Sequence, residues 1–165
     1  MNDLRAAALP SKEQIQALPR FQNLPAQNIQ VIQNLAQCRA IEAELKTAAL
    51  LGFDTESKPT FSKGEIATGP HLIQLATHER AYLFQVSDDI LDFLKPVFAS
   101  RGQIKAGFGL KNDAHLFRKK GIELNSVIEL SKCFKSFGLD NPVGLKNAVA
   151  LLFRQNFPKS KSVKI

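Results

Sequence analysis

An apolar run, Ala48-Ala49-Leu50-Leu51-Gly52-Phe53, leads directly into Asp54-Thr55-Glu56. A short uninterrupted apolar stretch that stops at charge reads as a buried strand. A buried strand demands a sheet around it. Side chains alternate along a strand, so Asp54 and Glu56 share one face and Thr55 takes the other. The two acidic Cα atoms then lie roughly 6.6 Å apart. Two carboxylates where a hydrophobic strand meets solvent suit hard divalent cations, which prefer oxygen ligands. The triplet alone equally describes a polar strand end that carries two acids, so support for chemistry must come from the rest of the chain.

With 165 residues, 44% of them hydrophobic, the chain is most simply one globular domain with a full core. Lys and Arg outnumber Asp and Glu by 22 to 15, a formal charge of +7. That balance suits a polyanionic partner such as nucleic acid and excludes an acidic calcium buffer. Cys38 and Cys133 form no C-x-x-C pair, which argues against structural zinc and for buried free thiols in a reducing compartment. The N-terminal residues lack a signal-type apolar stretch, and no run is long enough to span a bilayer. A cytoplasmic protein without membrane contact is the default expectation.

Along the chain, residues 1–25 read as a lead-in punctuated by Pro10, Pro19 and Pro25, with Ser11 to Gln14 able to cap a short helix. Residues 26–165 form the domain. Apolar spacing from Asn28 to Lys46 predicts a helix, followed by the strand at Ala48 to Glu56. A loop over residues 57–69 precedes strands at 71–77 and 81–86, close enough for antiparallel hairpins. Ser87 caps a helix that contains Pro96. Gln103 to Gly107 reads as a strand, Leu110 to Lys120 as a helix stopped by Gly121, and Val127 to Leu130 as a short strand. Helical segments near 131–138 and 144–154 follow. This alternation indicates an α/β domain with a mixed sheet.

Asp113 is the second chemical candidate. It falls in the first turn of a helix opened by Gly107-Phe108-Gly109, where the helix dipole favours negative charge. An ordinary helix-start acid would look the same. The blocks together are more specific. Leu51 to Glu56, Lys58 to Gly64, Leu72 to Thr77 and Ala81 to Phe84 closely resemble the RNase D-like branch of the DEDD 3′→5′ exonucleases, which includes bacterial relatives of the Werner-syndrome exonuclease domain. Gly107 to Leu116 resembles that family's second motif, and Gly144 to Ala150 with Phe157 to Ser162 the approach to its third. The resemblance covers about residues 45–165.

It implies a ribonuclease H-like fold and two divalent ions, Mg²⁺ or Mn²⁺, held by four acids. On matching positions Asp54 would bridge the ions. Glu56 would hold one and help orient the attacking water, and Asp113 would complete the other shell. Nucleoside monophosphates would leave from the 3′ end of DNA or RNA. Phe53, Thr55, Lys58, Lys111 and Asn112 are the expected substrate contacts. Core packing is the stronger reading of Phe53, and Lys58 could equally be a solvated loop charge.

The sequence departs from the family at the third motif. No tyrosine followed four residues later by aspartate occurs after Asp113, and the only tyrosine is Tyr82. The expectation is a C-terminally truncated domain with three of four acids and impaired activity; a silent nucleic-acid-binding or scaffold module is the alternative. Glu129 reads as structural and Asp140 as a loop or cap residue. Lys105, Lys111, Arg118, Lys119 and Lys120 gather positive charge around the Asp113 helix, and Lys159, Lys161 and Lys164 make a basic tail. These could serve phosphate binding or merely complement helix ends and the chain terminus.

Overall fold

The computed structural model describes residues 8–58, 61–64, 66 and 68–158. In chain order the elements are α1 (Lys12–Ala17), a 3-10 turn (Ala26–Asn28), β1 (Ile29–Ile32), α2 (Leu35–Thr47), β2 (Leu50–Glu56), β3 (Leu72–Ala76) and β4 (Ala81–Gln85). Then follow α3 (Asp88–Ala99), β5 (Ile104–Gly107), α4 (Lys111–Lys119), β6 (Val127–Glu129), a 3-10 helix (Leu130–Phe137) and α5 (Leu145–Phe153). The chain divides into two compact units, residues 24–129 and residues 1–23 with 130–165.

The first unit is a six-stranded mixed sheet in the order β1-β4-β3-β2-β5-β6. β2, β3 and β4 form the antiparallel part, while β1 joins β4, β5 joins β2 and β6 joins β5 in parallel. Register aligns Phe53 with Leu75 and Leu75 with Tyr82, and aligns Thr55 with Ile73 and Ile73 with Phe84. Those rows make the buried face, on which Ile41 and Leu45 of α2, Leu94 and Phe98 of α3 and Phe117 of α4 complete one core. Strand alternation therefore sends Asp54 and Glu56 to the opposite face, as the sequence predicts.

Most predicted elements are found within a few residues. Ser11 and Gln14 form a reciprocal capping box on α1. Ser87 accepts from the Ile90 N–H at the start of α3, and Gly121 takes a left-handed φ of 67° after α4. The helix expected from Asn28 is corrected: Ile29–Ile32 is a parallel edge strand, and α2 starts only after Asn34, whose side chain accepts from the Gln37 N–H at 3.0 Å. Apolar residues at helical spacing hid a run rich in β-branched side chains that pairs with β4. The segment after β6 is a 3-10 helix rather than an α-helix. Cys133 is exposed, correcting the expectation of two buried thiols; Cys38 is buried.

Lys105 is also corrected. It is fully buried and adds no charge to a phosphate-binding surface. Its Nζ donates to the carbonyls of Val97, Ser100 and Gln103 at 3.2, 2.7 and 2.8 Å. Burial pushes its pKa down, while the negative end of the α3 dipole favours the ammonium. Nearby, the Gln103 amide donates to the carbonyls of Leu45 and Ala48, both at 2.6 Å. Two polar residues at the entry to β5 thus satisfy the last carbonyls of α2 and α3.

The second unit is described by itself. Ile15, Phe134, Val143, Ala148, Val149 and Ala150 are buried in it, and Phe21 packs on Phe153 and Phe157. A parallel bridge joins Arg20 to Asn156. Expectations for residues 1–7 and for the lysines of the tail fall outside the described residues. Among the described residues no helix is long and apolar enough to cross a membrane.

Replacing Lys105 by Met would keep the volume and strand three carbonyls. We expect a stability loss of about 2–4 kcal/mol, read from the urea midpoint at unchanged slope.

Candidate active site

The centre of the sheet positions the acids. β2 lies between β3 and β5, so its backbone is hydrogen-bonded on both sides before it emerges at Asp54. The approach of β5 is close: a Cβ on Gly107 would lie 2.1 Å from the Phe53 carbonyl oxygen. Only glycine permits that contact, which fixes the residue preceding Asp54. Phe53 itself is 4% exposed, its ring 5.6 Å from that of Phe98 and 5.7 Å from that of Phe117. Its side chain faces the core, which leaves its main chain as the part nearest the site.

α4 delivers Asp113, 8% exposed, in its first turn. The helix has no capping side chain of its own at Leu110. Glu129 at the end of β6 supplies one: its carboxylate accepts from the backbone N–H groups of Gly109 at 3.0 Å and Leu110 at 2.8 Å. A carboxylate on two orphan amides also meets the positive end of the helix dipole. Sequence reasoning took Glu129 as structural but could not name its work, because the two amides it serves lie about 20 residues upstream.

Thr55 donates its hydroxyl to Asp113 Oδ1. It shares the core-side face with Phe53, so the Thr55 side chain meets α4 rather than solvent. Asp54 and Glu56 are exposed on the other parity, yet Asp54 feels the charges of both Asp113 and Glu56. Partial burial pushes the Asp54 pKa up, and the charges of Asp113 and Glu56 push it further, against a hydrogen bond from the Thr55 backbone. Three anionic oxygen donors in a shared, partly desolvated field fit a hard cation in kind. As the side chains stand, however, no three His, Cys, Asp or Glu residues among those described are grouped to hold one ion. The Thr55–Asp113 bond occupies an oxygen a cation would need.

Lys58, Lys111 and Asn112 are all exposed around this strand end and helix start. Tyr82 is fully buried in β4, its pKa pushed up to about 12 chiefly by burial, which removes it as a stand-in for a solvent-facing tyrosine at the site. Asp140 lies in the second unit.

Glu129→Ala is expected to leave two amides at the start of α4 uncapped and to cost about 1–2 kcal/mol in urea unfolding, with faster amide exchange at residues 109 and 110.

The fold has many solved counterparts. The exonuclease domain of Aedes aegypti Nibbler superposes with a TM-score of 0.70 at 19% identity, over 84% of this chain and 74% of that one. Trypanosoma brucei RNase D gives 0.72 at 14% identity, over 81% and 50%. Escherichia coli RNase D, an exoribonuclease involved in structured RNA processing, gives 0.67 at 20% identity, over 81% and 35%. The chain thus spans about half or less of the two RNase D proteins. No curated protein matches the sequence significantly. Identities this low show a shared fold, the ribonuclease H-like exonuclease architecture. The sequence itself carries the family: residues 29–164 match that of a 3′-5′ exonuclease domain, and the chain belongs to this 3′-5′ exonuclease family.

Proposed function

We infer that the chain binds the 3′ end of a nucleic acid and hydrolyses its terminal phosphodiester with divalent ions held by Asp54, Glu56 and Asp113. What supports this reading is the family match over residues 29–164, with Asp54 and Glu56 at the end of β2 and Asp113 in the first turn of α4; partial burial, and then the charges of Asp113 and Glu56, raise the Asp54 pKa. Enzymes of this family generally use divalent ions. Bound as a pair, such ions supply a water nucleophile near neutral pH and stabilise the leaving oxygen. Asp54, at the centre of the three, would serve both ion positions. Glu56 would orient the attacking water, and Asp113 would release Thr55 to complete the second position. Lys58, Lys111 and Asn112, all exposed, would meet the backbone phosphates.

Three acids instead of four, with no late tyrosine to position the water, imply weak turnover by this 165-residue chain. The substrate is 3′-ended single-stranded DNA or RNA. The solved complex of T. brucei RNase D with the RNA U12 makes oligouridine the first probe to try. A second reading, a silent nucleic-acid-binding module, is favoured by one observation: an Asp113 oxygen is taken by the Thr55 hydroxyl.

Digestion of a 5′-labelled oligonucleotide with Mg²⁺ or Mn²⁺ decides between them. We expect slow, chelator-sensitive shortening from the 3′ end, abolished in Asp113→Ala while circular dichroism stays native. Undiminished digestion by that variant would refute the assigned role, and tight binding without any metal-dependent shortening would establish the silent module.

The raised Asp54 pKa yields an independent test. A carboxyl with a higher pKa folded than unfolded is better tolerated protonated, so its contribution is fully present below the unfolded value and is lost as pH rises through the folded one. In chelator, Asp54→Asn should therefore melt higher than the native chain at neutral pH, by on the order of 1–2 °C given the exposure of the site, with the gap closing as pH falls below 4. Divalent ions should raise the melting temperature of the native chain more than that of the variant.

A further inference from the structure

Among the described residues of the loop between β2 and β3, the His71 side chain ties one end to the other. The His71 backbone is fixed on both sides: its N–H donates to the Glu56 carbonyl at 2.9 Å and its carbonyl accepts from the Val86 N–H at 3.0 Å. Residue 71 thereby extends β3 between its two neighbours, and the imidazole stands on a rigid footing. Its Nδ1 accepts from the backbone N–H of Lys58 at 3.1 Å. A ring nitrogen that accepts carries no proton, so the neutral ring has its proton on Nε2, which donates to Thr68 Oγ1 at 3.3 Å.

One ring therefore holds Lys58 and Thr68. Their chain neighbours also touch, since a Cβ on Gly69 would lie 2.0 Å from Ser57 Oγ. The loop closed in this way presents Phe61, 89% exposed, and Ile66, 79% exposed, with Lys58 and Lys63 also exposed. An outward aromatic ring between cations is the chemistry that grips a base and its phosphate in single strands.

We propose that His71 is a positioning residue for capture of the 3′ end. Its ring fixes Lys58, two residues beyond Glu56, together with Thr68, and so holds the cation that would meet the terminal phosphate. This rests on the exonuclease reading above. Without the ring, Lys58 must be fixed at the moment of binding, which weakens affinity. His71 touches no reacting atom, so ion binding by the carboxylates is left unchanged.

The test uses the whole chain, anisotropy of a labelled oligouridine in Ca²⁺ or chelator, Mn²⁺ titration calorimetry, and amide exchange at Lys58. His71→Phe keeps an aromatic ring and deletes both nitrogens. His71→Asn restores one acceptor at the Nδ1 position. Thr68→Val deletes one partner on the exposed loop. We expect His71→Phe to bind oligonucleotide about 5–10-fold more weakly and to exchange Lys58 faster, with most of the affinity recovered in His71→Asn. Thr68→Val should lose about 2–3-fold, and Mn²⁺ affinity should not change in any variant. Native affinity in His71→Phe, unchanged Lys58 exchange, no recovery by Asn, or a parallel loss of Mn²⁺ binding would each overturn the role of His71 while leaving the exonuclease reading standing. Should His71→Phe not fold, native affinity in Thr68→Val overturns it. A native chain that binds no oligonucleotide overturns the exonuclease reading and this inference with it.

Discussion

β2 can carry two acids at its end because its backbone is satisfied from both sides. β3 bonds it antiparallel and β5 bonds it parallel, and a glycine at 107 lets β5 come against the Phe53 carbonyl. A strand held this way tolerates mutual repulsion among Asp54, Glu56 and Asp113 that an edge strand would relieve by moving. The raised Asp54 pKa reflects partial burial first and the charges of Asp113 and Glu56 second. A hydrophobic core of interlocked Phe53, Phe98 and Phe117 rings offsets the repulsion on the opposite face.

Around that strand, the polar work falls to residues far away in sequence. Glu129 caps the helix that delivers Asp113, Lys105 and Gln103 satisfy the ends of α3 and α2, and His71 closes the loop beyond Glu56. Each joins a strand terminus to a helix end or loop whose backbone would otherwise hold unpaired groups. The site is thus shaped less by its own acids than by hydrogen bonds that bring their carrier elements to fixed places. Thr55 belongs to this set as well: its hydroxyl holds Asp113 on the core side.

Local signals were legible where they were strong. The apolar run before Asp54, the box at Ser11 and Gln14, the cap at Ser87 and the glycine at 121 all act over a few residues, and each element they mark is present. Ile29–Ile32 was misread because its partner, β4, lies about 50 residues away, and only that pairing makes it a strand. Lys105 looked like surface charge for a similar reason: the three carbonyls that accept it surround it only once α3 packs on the sheet.

By itself the sequence determined the α/β class, the alternation that puts Asp54 and Glu56 on one face, the place of Asp113 in a helix's first turn, and, through the order of its motifs, the exonuclease family. All of these follow from chain-local periodicity or from spacing along the chain. The tertiary structure alone decided that Thr55 meets Asp113, that Phe53 faces the core, that Lys105 is buried and that His71 ties Lys58 to Thr68. Whether the partners are 3 positions apart, as Thr68 and His71 are, or 58, as Thr55 and Asp113 are, these bonds and burials depend on how helices, strands and loops come together, and no period in the sequence encodes that.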